Sequence, residues 1–322
     1  MKKLMLSVVA AATMSGGAAI AADMPVKALP PPMAVVSPWD WAFGGALMSD
    51  YNFRGISQSN RGPSVTAYSE GRYNVNPNFQ LYLASQYWAV TLPTNPSAEV
   101  DVFGGFRTTF GPFTMDIGGM YYWYPREEQH NDFFFFGPGT GADFPSYPNG
   151  NGTLRNTDFW EVYGKFGYEA IKDQLLLGLN VYYSPSWLNT GADGLFLSGT
   201  AKVTLPSFRL GIGMIDEVGW YISGEGGYYW LGTADFYPGV FAVATELPDY
   251  ATWNVGVAFT WKVATLDLRY YDTNLSKENC NLLTGDPNAS FNAGTGTFQS
   301  KWCNATFIAA LKFDLVASQH LK

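Results

Sequence analysis

Between Trp253 and Trp261 the odd positions are Trp, Val, Val, Phe and Trp, and the even ones are Asn, Gly, Ala and Thr. Period two marks a β-strand with one apolar face and one small or polar face. Lys262 and Val263 reverse the chain, after which Ala264, Leu266, Leu268 and Tyr270 alternate with Thr265, Asp267, Arg269 and Tyr271. The pattern recurs in about twelve runs of roughly ten residues. They fall near 40–49, 65–74, 79–89, 98–108, 112–124, 157–168, 174–184, 195–205, 218–230, 250–261, 263–273 and 302–315. No helical segment is read anywhere.

Alternation alone leaves the direction of the apolar face open, because a soluble lipocalin-like barrel or a sandwich alternates too. Two features turn it outward. The apolar face of 253–261 begins and ends with Trp, as amphipathic rings at two lipid headgroup levels require. The connections also alternate in length: 75–78, 110–111, 169–173 and Lys262 are short, whereas 50–64, 125–156, 231–249 and 274–301 are long. Short turns at one end and long loops at the other are the outer-membrane arrangement. The connection 206–217 fits poorly, being about a dozen residues on the short side. The expected fold is all-β, a transmembrane antiparallel up-and-down β-barrel of about twelve strands, outer-membrane type.

Export agrees with this. Residues 1–21 read as a signal peptide, with Lys2 and Lys3, an apolar stretch from Leu4 to Ala12, and Ala19-Ile20-Ala21 as the cleavage site. A Pro-rich periplasmic lead-in follows over 22–38, then the barrel over 39–315 and a tail over 316–322. Aromatics make up 17% and charged residues 14%, the composition of a chain with a lipid-facing exterior. The formal charge of −8 becomes −10 once Lys2 and Lys3 are removed, which argues against nucleic acid. In an oxidising compartment Cys280 and Cys303 are expected as one disulfide.

The run Ser49-Asp50-Tyr51-Asn52-Phe53-Arg54-Gly55-Ile56-Ser57-Gln58-Ser59-Asn60-Arg61-Gly62-Pro63 resembles the signature of the TorF-type porins, Gram-negative outer-membrane proteins otherwise carried as a domain of unknown function. Glu161-Val162-Tyr163-Gly164, Val181-Tyr182-Tyr183-Ser184 and Leu268-Arg269-Tyr270-Tyr271-Asp272-Thr273 follow in the family's order. The resemblance covers nearly all of the mature chain and implies a barrel with a pore. Two departures stand out: Phe313 is followed by nine further residues where relatives stop at a terminal aromatic, and the 125–156 insert is long. In the signature itself, Arg54 and Arg61 lie near Asp50, the pattern of an extracellular loop folded over the mouth and pinned by ion pairs; the other reading is a solvated loop.

His130 lies in the longest loop and His320 in the tail, so a His-activated nucleophile has nothing to work with and no enzyme is expected. Asp132 and Asp143 lack the oxygen spacing of a calcium loop, and no cofactor or metal is expected. What remains is the inward face. Strand parity sends Glu70, Arg72, Glu99, Asp101, Arg107, Asp116, Glu161, Lys165, Lys202, Glu225, Asp267 and Arg269 into the lumen. Charges of both signs line a wet channel or form a paired network filling a narrow one. The expected function is a narrow, water-filled, weakly cation-preferring pore in the cell outer membrane. Its partners are membrane lipid, the barrel-assembly machinery during biogenesis, and small solutes or ions. The alternative is a non-conducting structural or adhesive barrel acting through long loops, notably Phe133, Phe134, Phe135 and Phe136.

Overall fold

The computed structural model describes residues 38–128, 156–212, 215–236 and 243–321. The signal peptide, the lead-in up to residue 37, His130, Asp132, Asp143 and the four-Phe run lie outside the described residues. Twelve antiparallel strands close into a barrel: β1 (Trp39–Met48), β2 (Ser64–Asn76), β3 (Phe79–Trp88), β4 (Glu99–Phe110), β5 (Phe113–Trp123), β6 (Phe159–Ile171), β7 (Leu175–Ser184), β8 (Gly194–Ile212), β9 (Ile215–Leu231), β10 (Tyr250–Trp261), β11 (Ala264–Thr273) and β12 (Thr306–Val316). Each strand pairs with its neighbours in sequence, and β12 returns to β1 with Ala46 opposite Lys312. Closure leaves no unpaired edge, which is the condition for crossing lipid with strands. The expected topology and strand count stand.

Three expectations need correction. The awkward connection 206–217 is mostly strand, because β8 and β9 run past the wall as a long ribbon. Their register shifts between Leu205 and Phe208 and again between Arg209 and Ile212. Pro206 sits at the first shift, where a residue without an N–H does least harm. The last strand starts at Thr306 rather than 302, and the wall ends at Val316. Helix also exists: α1 (Lys277–Thr284) lies in the last long loop, its amino end capped by Ser276 and its carboxyl end by Gly285 at φ +58°. A single-turn α2 (Ala317–His320) ties the tail to β1, since Ser318 Oγ donates to Asp40 Oδ2 at 2.8 Å. His320 Nδ1 accepts the Val316 amide at 2.9 Å.

The two faces are inverted relative to a soluble protein. Leu83 is 67% exposed and Phe307 80%, whereas Glu70, Asp101 and Glu161 are at 0%. Outward aliphatics such as Leu83, Leu179, Ile222, Val255, Leu268 and Leu311 form a belt. At the short-turn end it is bordered by Trp39, Trp41, Phe110, Phe113 and Tyr168, and at the long-loop end by Tyr121, Trp123, Trp160, Trp230, Trp253 and Phe307. Rings pair along both borders, as with Phe113 and Tyr168 at 4.8 Å and Tyr270 and Phe307 at 5.1 Å. Each such side chain forgoes about 1.5–3 kcal/mol if left in water, so the exterior is built for an apolar solvent. Gly111, at φ +56°, makes one of the tight turns at the short end.

Candidate functional site in the barrel interior

Residues 50–63 leave β1 at the long-loop end and fold into the lumen. Asn52–Phe53 and Ile56–Ser57 pair as a miniature hairpin. Its two turn residues, Arg54 and Gly55, have φ of +47° and +90°. Positive φ at both central positions matches the tight reversals of short hairpins. A Cβ on Gly55 would lie 2.2 Å from Thr273 Cγ2, so glycine is required by the contact with the wall as well as by the turn. The turn throws Arg54 forward into the barrel, where it is 3% exposed.

Arg54 is expected beside Asp50; the structure pairs it with Glu161 of β6 instead. Its Nη1 and Nη2 donate to Glu161 Oε1 and Oε2 at 2.7 and 2.8 Å, a bidentate arrangement. The guanidinium carbon lies 4.6–4.8 Å from the ring centroids of Phe53, Tyr182, Phe196 and Tyr229. The Tyr122 hydroxyl donates to Glu161 Oε2 at 2.9 Å. The correction follows from the turn: a hairpin only two residues deep per arm points its tip away from its own base.

Asp50 stays at that base. It accepts from Ser57 Oγ at 2.6 Å and Ser59 Oγ at 2.9 Å, and Arg61 lies 3.4 Å away. Burial holds the Asp50 carboxyl above the usual carboxylate range, against those hydrogen bonds and the Arg61 charge. Arg61 reaches out to the last long loop, donating to the carbonyls of Lys301 (2.8 Å) and Asn304. Trp302 Nε1 donates to Asn60 Oδ1 at 3.0 Å, and the Ser57 amide to the Trp302 carbonyl at 3.0 Å. That loop is itself stapled, because Cys280 in α1 is disulfide-bonded to Cys303. The insertion is gripped at its tip by Glu161 and at its base by the 301–304 segment. It is held further by the Tyr51 hydroxyl on Glu99 at 2.6 Å, by Tyr51 stacked on Trp88 at 4.0 Å, and by the Thr91 amide donating to the Gln58 carbonyl at 2.8 Å.

The parity-assigned charges lie inside the barrel in paired clusters. Arg107 donates bidentately to Glu70 at 2.7 and 2.9 Å and to Asp116 at 3.1 Å, and Arg72 also pairs with Glu70. Asp267 meets Lys312 at 3.1 Å and Arg269 at 3.4 Å. Glu225 accepts from Ser198 Oγ at 2.6 Å. Lys165 Nζ stands 4.7 Å from the Tyr163 ring and Lys202 Nζ 4.1 Å from that of Tyr221. Glu99 takes the hydroxyls of Tyr51 and Tyr124 at 2.6 and 2.9 Å, and Asp101 takes Trp88 Nε1 at 3.0 Å. Satisfaction on this scale is what makes buried charge tolerable.

The expected list of lumen residues omits two kinds of resident that period two also turns inward. Lys312 pairs with Asp267, and Asp314 accepts from the Tyr68 hydroxyl at 2.8 Å. Adding Asp314 to the acids, and Lys312 and Arg54 to the bases, changes seven against five into eight against seven. The second kind is aromatic. Tyr82, Tyr122, Tyr163, Tyr182, Phe196 and Tyr229 are all inward and buried. Their even or odd positions in strands already assigned held that information. Between hairpin and wall remain small cavities of about 30 and 40 Å³. The second is bordered by Asn52 and Asp267, whose Nδ2 and Oδ1 have no protein partner. A cavity of that size with polar atoms facing it suits one or two waters.

A family model described as a bacterial protein of unknown function (Gcw_chp) matches residues 33–142, which are 110 of the 322 and include the 49–63 signature. It does not carry the TorF-type name. No curated protein matches the chain. Among solved structures, the NanC porin in a rhombohedral crystal form is similar at 10% identity, over 86% of this chain and 100% of that one, with a TM-score of 0.41. The COG4313 outer membrane channel from Pseudomonas putida F1 is similar at 9% identity, over 90% and 100%, with a TM-score of 0.40. LpxR from Salmonella typhimurium is similar at 8% identity, over 84% and 99%, with a TM-score of 0.35. Likeness at this level says nothing about activity.

Proposed function

We propose that this chain is an exported outer-membrane pore for small solutes or ions, held shut by residues 50–63. The observation that carries the reading is what occupies the lumen. A separate hairpin occupies it, attached by one bidentate ion pair at the tip, by Tyr51 against Glu99 and Trp88, and by a clamp at the base. A barrel meant only as a scaffold fills its bore with wall side chains; a movable insert is the construction of a gate. Planar-bilayer recording on the refolded protein tests it: wild type should show rare, small openings, and a variant lacking residues 51–62 frequent ones. A deletion variant that folds but stays silent would leave the structural or adhesive reading, which the small residual cavities favour.

With the hairpin withdrawn Arg54 leaves the lumen, so among the described residues eight acids face six bases, and a weak cation preference is the expected selectivity. In a salt gradient the reversal potential should lean to cations and move toward neutrality with added salt as screening grows. Asp267→Asn should shift it further toward anions, because it removes an acid that faces Lys312 and Arg269. Anion preference in the wild type would overturn this charge argument.

The orientation that accompanies this reading puts the short turns in the periplasm and the long loops outside. An epitope tag at Asn288 should then be reached by antibody on intact cells, and one at Lys172 only after permeabilisation. Labelling at Lys172 on intact cells would invert the barrel.

A further inference from the structure

Arg54 sits in surroundings that would suit a ligand. Its guanidinium is within 4.6–4.8 Å of four ring centroids and takes a carboxylate in two parallel hydrogen bonds. Aromatic cages with an acidic member recognise organic cations, and the bidentate geometry selects the guanidinium fork over a point charge. Phe53 travels with the hairpin. The other three rings and Glu161 belong to β6, β7, β8 and β9, so they stay when the hairpin leaves. Glu161 is also held independently of Arg54, by the Tyr122 hydroxyl at 2.9 Å, and Tyr122 stacks on Phe159 at 4.3 Å. A site built on rigid strands and supported from behind remains in place after its occupant departs. Once emptied, it holds a buried carboxylate that must find another cation.

We propose that the Glu161 cage is a binding site for a guanidinium group on a small solute, with Arg54 as its internal stand-in while the hairpin is seated. This rests on the gated-pore reading and adds the class of solute and the trigger: an incoming guanidinium competes with Arg54, and the hairpin yields. Nearer the mouth, Glu99 and Asp101 are bonded to Tyr51, Tyr124 and Trp88.

The experiment uses the full refolded protein and methylguanidinium chloride, with tetramethylammonium chloride and sodium chloride at equal ionic strength as controls. In wild type, hydrogen exchange at amides 51–62 should accelerate with millimolar methylguanidinium and not with either control. Calorimetry on Arg54→Ala should show saturable binding of methylguanidinium, weakened about tenfold or more by adding Glu161→Gln, as the loss of a charge-assisted bidentate contact predicts. The wild-type exchange measurement stands even if the variants do not fold. Equal effects of all three salts on exchange, or binding indifferent to Glu161→Gln, would overturn the site. Binding without conduction would keep the site and remove the pore; conduction without binding would do the reverse.

Discussion

Arg54→Ala should unseat the hairpin tip and leave the barrel wall standing. Removing one partner of a buried ion pair costs about 3–5 kcal/mol, because the other charge is left without compensation. At ~1.4 kcal/mol per decade, that moves the seated-to-released balance by roughly two to three and a half powers of ten. Loss of the contacts with the three wall rings, Tyr182, Phe196 and Tyr229, acts in the same direction. The wall is held by strand ladders that the substitution does not touch, so heat-modified migration on gels should be unchanged. Amides 51–57 should lose most of their exchange protection, and openings in bilayer recordings should become frequent. Glu161→Gln should act alike by stranding the Arg54 cation. Replacing both residues by Met removes both charges and should restore part of the seating, since apolar substitutes for a buried pair are often neutral. If protection at 51–57 survives Arg54→Ala, the tip pair is not what seats the hairpin.

The wall was readable because its physics is local and periodic. In β10 a residue is either lipid-facing, such as Val255, or inward, such as Asn254, and period two states which. Loop lengths told the two ends apart, because short turns and long connections sort to opposite ends of an up-and-down barrel. The errors fell where that period lapses. Around Pro206 two register shifts hide strand in what reads as a loop. In α1 the Ser276 and Gly285 caps are present in the sequence, but eight residues make little more than two turns, too few for a 3.6-residue period to stand out.

The interior was legible as a list of residues and illegible as a set of partners. Parity put Glu70, Arg107, Glu161 and Asp267 on one face, but pairing across a lumen depends on barrel curvature, which one strand does not encode. Arg54 shows the difference most clearly. Sequence distance favours Asp50, four positions away, and the turn at Arg54 and Gly55 sends the side chain to a residue 107 positions on. The inward tyrosines are hard to tell from lipid anchors by residue type, since the same ring suits a headgroup border and a buried hydrogen-bonded site. Tyr122 and Trp123 are neighbours with opposite assignments, one buried against Glu161 and one on the outer border.

Removing the disulfide should loosen the base of the hairpin without weakening the barrel. Cys280 and Cys303 are separated by 23 positions, and closing a loop of that length contributes roughly 3 kcal/mol in the chain-entropy description. The ends of that loop are already fixed by β11 and β12, which pair from Tyr271 with Thr306 to Ala264 with Phe313. The stabilisation therefore falls on the loop, whose order rests on α1, the bond from Ser300 Oγ to Asp286 Oδ2 at 2.7 Å, and the buried Trp302. That same segment supplies every contact that the clamp makes with Ser57, Asn60 and Arg61. The variant carrying Cys280→Ser and Cys303→Ser should accordingly show faster exchange over 277–304, and a smaller acceleration over 57–62. The tip near Arg54 should stay protected, because the Glu161 pair is untouched. Trp302→Ala, which keeps the disulfide, should loosen 57–62 while sparing α1, so the two variants separate the staple from the clamp. Combining either with Arg54→Ala should raise opening beyond both single changes, as two grips on one hairpin require. Unchanged exchange over 57–62 in the cysteine-free variant would mean that the base is anchored without the staple, by Asp50 through Ser57, Ser59 and Arg61 and by the Thr91 amide on the Gln58 carbonyl.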